Sequence, residues 1–185
     1  MVEAYFLTTK ELEAGLDEVR RSPKDEGTLE MIVCRPTSDE RRLLNEGQID
    51  LDEGLLGDNW RARGSASSPD GSANIDAQIT IMNSRAAMLM GQSRERWQLA
   101  GDQLIIDMDI SADNLPPGTR LAIGSAVLEV SDKPHTGCKK FVARFGLEAM
   151  EFVNSPVGRE LHLRGINTRV VQAGLIRVGE RIRKA

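Results

Sequence analysis

The stretch Lys133-Pro-His-Thr-Gly-Cys-Lys-Lys-Phe141 concentrates the residues best suited to chemistry. Cys138 follows a glycine, which lets backbone come close to a ligand. Lys139 and Lys140 follow it, and His135 precedes it by three positions. Positive neighbours favour thiolate over thiol, and the thiolate is both the nucleophile and the soft metal ligand. A loop gives that thiolate access. On these local grounds a functional Cys138 and a half-buried loop cysteine among solvated lysines are evenly matched. His135 and Cys138 supply two soft ligands, where a structural zinc site wants about four. The other candidates, Cys34 and His162, stand far off in sequence, so zinc is not expected. A Cys-His hydrolase needs a base and a group to orient it, and spacing shows neither. No Gly-x-Gly-x-x-Gly or Walker pattern is present, which argues against a dinucleotide or nucleoside triphosphate site.

Charge points to the same part of the chain. The net charge is −4, yet Lys133 to Ala185 holds 11 Lys or Arg against 4 Glu, and both histidines. The first 132 residues hold 13 basic and 24 acidic residues. Such asymmetry suggests an anionic partner. Guanidinium forks suit phosphate and carboxylate oxygens. Arg144, close to Cys138, and Arg164 and Arg169, around Gly165, are the better candidates. Arg181 and Arg183 alternate onto one strand face and are expected in solvent.

Composition excludes several classes. The 185 residues suit one domain spanning 1–185. No stretch approaches the roughly 20 apolar residues of a membrane span. Aromatic residues are 4%, too few for a base-stacking surface, so neither a membrane nor a nucleic acid is an expected partner. Two cysteines make no disulfide framework, and the N-terminus has neither a basic region nor a long apolar one. A reducing, cytoplasmic setting is therefore expected.

Elements must position these residues. Thr8-x-x-Glu11 has capping-box spacing, and Leu12, Leu16 and Val19 follow at helical intervals, predicting a helix over about 9–21. Thr28–Pro36 reads as a strand with Cys34 as a buried, structural thiol. Thr37 to Asn45 reads as a short helix, 53–60 as a glycine-punctuated loop, and 64–74 as a surface loop. Gln78–Met82 reads as a strand, and Asn83 as the cap of a helix reaching about Met90. Met82, Met88 and Met90 are expected as core filler. Strands are expected over 104–110, 120–123, 126–130, 168–172 and 179–183, and a helix over 145–153, stopped at Asn154-Ser-Pro156. The total is a mainly β chain: a β-barrel of about seven short strands with a few peripheral helices. The cysteine-bearing basic segment is 133–185.

Several segments then carry a resemblance. Pro134-His-Thr-Gly-Cys138-Lys-Lys-Phe141, Arg144-Phe-Gly146, Leu163-Arg-Gly-Ile166, Arg169-Val-Val171 and Gly174-Leu-Ile-Arg-Val-Gly179 resemble the MOSC domain. That domain ends molybdenum cofactor sulfurases and also occurs as stand-alone bacterial proteins. Leu55-Leu-Gly-Asp-Asn-Trp60, Gln78–Asn83, Ala100-Gly-Asp-Gln-Leu104 and Leu115–Gly124 fit the family pattern in the same order. The resemblance implies a β-barrel. It implies a role for Cys138, as carrier of a sulfane sulfur or as a ligand of molybdenum in a pterin cofactor, molybdopterin. It implies basic or polar neighbours for the pterin phosphate, for which His135, Thr136, Lys139, Lys140, Arg144, Arg164 and Arg169 are the candidates. The implied partners are the anionic cofactor itself, a sulfur donor or acceptor protein, or a redox partner. A chain of 185 residues has no room for the pyridoxal-phosphate domain of the sulfurases, so binding of that cofactor is not expected. The expected function is cofactor binding or sulfur carrying; the alternative is a small molybdenum-dependent reductase of N-hydroxylated compounds.

Overall fold

The structure, a computed structural model, describes residues 5–185. Its centre is a closed, mixed β-barrel. The strands are β1 (Glu26–Cys34), β2 (Arg42–Leu44), β3 (Glu46–Asp50), β4 (Gly54–Leu55), β5 (Ile79–Asn83), β6 (Leu104–Asp107), β7 (Arg120–Ile123), β8 (Ala126–Val130), β9 (Ile166–Gln172), β10 (Gly174–Arg177) and β11 (Arg181–Lys184). The barrel runs β1-β6-β5-β9-β8-β7-β11, and the β11–β1 pairing closes it. Seven strands thus form it, as the sequence led us to expect. Only β5 and β6 pair in parallel; β2 flanks β1, and β10-β3-β4 form a small second sheet.

Alternation along the strands builds two cores. Ile32, Ile81, Leu104, Ile106, Leu128 and Ile182 fill the barrel. Met31, Val33, Met82 and Ile105 face outward and pack under helices. A register shift between Leu29 and Met31 puts Leu29 and Ile32 on the same inner face although they stand three positions apart. The helices are α1 (Thr9–Ala14), α2 (Leu16–Arg20), α3 (Trp60–Arg63), α4 (Ser84–Gly91), α5 (Lys139–Phe145), α6 (Leu147–Asn154) and α7 (Pro156–Glu160). Leu12, Leu16, Phe141, Phe145 and Phe152 seal them onto the barrel wall.

The first helix opens on the expected capping box and breaks at Gly15 into α1 and α2. Asn83 caps α4 by accepting from the Arg85 and Ala86 amides. One expectation needs correction. Thr37 to Asn45 is not helical: Asp39 takes φ 64°, a left-handed conformation no α-helix contains, and residues 42–44 instead pair with β1 as β2. The helix expected over 145–153 is α6, and α5, which was not expected, precedes it across Gly146 at φ 94°. That helix stops at Asn154 as expected, and Pro156 then starts α7, because at the first helical position its missing N–H is no loss, and Ser155 caps it. Of the methionines, Met82 and Met90 are core, whereas Met88 is 43% exposed. Cys34 is 4% exposed within the barrel core.

Candidate functional site

Cys138 is the residue before α5, with extended backbone and an exposed side chain. Its position is set by burial on either side. Phe141, one turn on, is 2% exposed and tilts against Phe145, which anchors α5. Behind it, Asn154 of α6 clamps Gly137, accepting from its N–H at 2.9 Å and donating to its C=O at 3.3 Å. A Cβ at Gly137 would lie 3.0 Å from Val153 and 3.1 Å from Met150. The close approach that this glycine permits is therefore to α6, not to a ligand. Asn167 of β9 donates to the carbonyls of Lys133 and Pro134 and pins the other end of the segment.

Cys138 opens onto a cleft of about 170 Å³. Six cations line it: Arg35, Arg41, Arg63, Lys140, Arg144 and Arg164. Three carboxylates compensate them in part. Asp58 takes a two-pronged bond from Arg35, with both partners buried. Asp102, fully buried, accepts from Arg164 at 2.6 Å. Asp39 meets Lys140 at 3.3 Å and Arg144 at 3.2 Å from the exposed side. Arg41 has only carbonyl partners, those of Glu40 and Gln98. The Arg63 guanidinium has no ion pair or hydrogen bond among the described residues. Burial, and then the neighbouring guanidiniums Arg144 and Arg35, push Arg41 below the usual arginine range; burial and then Arg35 do the same to Arg63. Two buried polar atoms of lining residues, Arg164 Nε and Asn59 Oδ1, have no partner. Buried polar groups are nearly always paired, so these two atoms are left able to meet a ligand or water.

Asp102 also holds His135, whose Nε2–H donates to it at 2.8 Å. Burial alone would raise the Asp102 carboxyl, but Arg164 and then His135 hold it down at about 2. Burial and then Arg164 lower His135, against the opposing pull of Asp102. This buried trio joins the Cys138 cleft to a second cavity, of about 470 Å³, on the other side of the 133–137 segment. Arg164 lines both.

The expected site residues thus divide. Cys138, Lys140, Arg144 and Arg164 meet in the cleft. His135 and Thr136 line the second cavity instead. Lys139 is exposed and lines neither. Arg169 lies on β9, paired with Glu129 of β8. Arg35, Arg41, Arg63, Asn59 and Asp102 were not anticipated. Charge counting hid the four charged ones, because they lie before Lys133. The segments Leu55–Trp60 and Ala100–Leu104 did contain or adjoin Asp58, Asn59, Gly101 and Asp102. Among the described residues no group of three His, Cys, Asp or Glu side chains is placed to hold a metal ion. No helix among them is long and apolar enough to cross a membrane.

The molecule is thus a small mixed β-barrel that presents one exposed thiol in an arginine-lined cleft. Residues 82–183, more than half of the chain, match the sequence model of the MOSC domain, and the chain belongs to that family. In fold it is similar to the YuaD protein of Bacillus subtilis, with TM-score 0.60, 16% identity, and 85% of this chain and 94% of that one covered. It is likewise similar to YiiM of Escherichia coli, with TM-score 0.56, 16% identity, and 85% and 69% covered. No curated protein matches it by sequence.

Proposed function

We propose that this protein binds an anionic sulfur or cofactor group at Cys138 and delivers it for the assembly of a metal–sulfur centre. The observation that carries the reading is the single exposed thiol among six cations, with Arg164 Nε and Asn59 Oδ1 lacking partners in the same cleft. As a sulfur carrier, the Cys138 thiolate attacks the terminal sulfur of a donor persulfide. A new S–S bond forms to Cys138, the donor's S–S bond breaks, and the donor leaves as a thiolate that takes up any proton from solvent. The cleft's surplus positive charge suits the resulting persulfide anion.

The donor set also fits the molybdenum cofactor. Cys138 would hold the metal through a soft thiolate, and Arg41, Arg63 and Arg164 would hold the phosphate. When bound, that group would supply a redox-active metal. This chain's own residues contribute position and charge. Phe141 and Asn154 fix Cys138, and Asp102 aims Arg164. The cations that line the cleft suit a sulfur anion or the phosphate end of a ligand.

The test is metal content and intact mass of protein made in a host that synthesises the cofactor. A mass gain of one sulfur that reductant removes supports the carrier. One equivalent of molybdenum supports cofactor binding. Either signal should vanish in Cys138→Ala. Absence of both from the wild type defeats the proposal. Molybdenum together with turnover of N-hydroxylated substrates, given an electron donor, would replace it with the reductase reading.

A further inference from the structure

The Cys138 cleft gathers positive charge around one backbone position. Gly101 takes φ 92°, and a Cβ there would lie 3.6 Å from Arg144 Nη1 and 3.9 Å from Arg41 Nη2. Arg35 Nη1 donates to the Gly101 carbonyl at 2.8 Å. Three guanidiniums therefore crowd about a residue with no side chain. Like charges so close repel one another, and an anion among them relieves that repulsion. Donors are left over to hold one. Arg41 spends Nε and Nη1 on the carbonyls of Gln98 and Glu40, and its Nη2 has no partner among the described residues. Arg164 is 7% exposed and lines the same cleft, and its Nε has no partner. The cleft's six cations stand against Asp39, Asp58 and Asp102. The surplus is what a thiolate and a compact dianion together would neutralise.

We infer that the sulfur donor at this site is a small sulfur oxyanion of the thiosulfate class, so that the protein acts as a thiosulfate sulfurtransferase; this rests on the sulfur-carrier reading of Cys138. Arg41, Arg63 and Arg144 take the sulfonate oxygens through charge-assisted hydrogen bonds. The Cys138 thiolate attacks the outer sulfur of thiosulfate. An S–S bond forms to Cys138, the sulfur–sulfur bond of thiosulfate breaks, and its electron pair leaves on sulfite. No proton moves and no oxidant is consumed. A thiolate or cyanide acceptor then takes the outer sulfur from the Cys138 persulfide and restores the thiolate. The first step brings an anion onto a dianion, and fixed cations around both lower its barrier.

The probe is thiosulfate, offered to the reduced protein, with cyanide as acceptor and thiocyanate as readout. Thiosulfate alone should add one sulfur to the intact mass and release one equivalent of sulfite. With cyanide, thiocyanate should form over many turnovers, and Cys138→Ser should form none. Sulfate has the oxyanion but no transferable sulfur, so it should compete with thiosulfate at constant ionic strength. Arg41→Gln combined with Arg63→Gln should lower kcat/KM by about tenfold or more, chiefly through KM. Arg41→Lys combined with Arg63→Lys should recover part of the loss. Arg181→Gln, which removes a like charge from an exposed site on β11, should change nothing. The inference is overturned if the wild type forms no more thiocyanate than Cys138→Ser, if sulfate does not compete, or if the double glutamine variant matches Arg181→Gln. Sulfur taken from a persulfide donor, or molybdenum at Cys138, with thiosulfate inert would overturn this inference alone. If Cys138 takes up neither sulfur nor molybdenum from any source, the proposed function falls with it.

Discussion

At the scale of single residues, Asp102 matters most for the site. It is fully buried, yet two cationic or polar groups from different elements converge on it: Arg164 at 2.6 Å and His135 at 2.8 Å. Asp102→Asn removes the charge and leaves Arg164, 7% exposed, without its counterion. Breaking a buried pair from one side costs about 3–5 kcal/mol, so the variant should show a lowered denaturant midpoint with an unchanged slope. The pH dependence follows from the two shifts. Asp102 sits at about 2 against an ordinary 3.8, so its contribution is complete above 3.8 and is lost as pH falls through 2. His135 is lowered from 6.5, so unfolded chains take up its proton before folded ones do. Stability should therefore fall as pH drops below 6.5 toward the lowered value, and stay level above 6.5. His135→Gln should flatten that upper part of the curve in urea titrations and leave the lower part. An unaltered curve in the variant would assign the acid sensitivity elsewhere.

At the scale of elements, the site depends on how the 133–138 segment is held. It has no regular structure, and its backbone is tied by two asparagines, Asn154 from α6 and Asn167 from β9. Asn154→Ala frees the Gly137 amide and carbonyl, at a cost of about 1–2 kcal/mol. Hydrogen exchange at residues 137–138 should quicken while the barrel amides keep their protection; equal loosening of the barrel would show that Asn154 supports the whole fold instead. Sequence reading found what local rules govern. The Thr8 capping box, the Asn83 cap, the β7–β8 hairpin and the count of barrel strands all follow from short-range spacing. It missed what tertiary contact decides. Asp39 leaves helical geometry and meets Lys140 and Arg144 of a distant helix. Helix α5 was not read, because its buried residues Phe141 and Phe145 show their role only once packed against the other helices. For the site, Cys138 and three of its cations were legible because they share one segment or one motif. Arg35, Arg41 and Arg63 were not, since only barrel closure carries residues separated by about a hundred positions into one cleft.

At the scale of the whole molecule, charge and shape work against each other. The protein is net negative at −4, which repels anions at long range, while its one exposed thiol lies where six cations gather. Which field governs approach to Cys138 depends on distance. Beyond about 8–10 Å at physiological salt, charges are largely screened, so the cleft should dominate the last stage of approach and the net charge should matter little. Cys34 is buried, so native-state thiol chemistry reads Cys138 alone. An aromatic disulfide bearing two carboxylates should react faster than a neutral dipyridyl disulfide once each rate is divided by its rate with free cysteine. That advantage should shrink as salt rises, whereas the neutral reagent should be indifferent to it. Replacing Arg41 and Arg63 together by glutamate changes the balance by four charges close to the sulfur. It breaks no ion pair, because neither arginine has a carboxylate partner among the described residues. The anionic reagent should then slow by about tenfold or more, within the range of electrostatic steering, and the neutral one should not. If the wild type shows no preference for the anion, or if the double variant slows both reagents alike, the arginines shape the cleft sterically, and the anionic ligand proposed for Cys138 loses its main support.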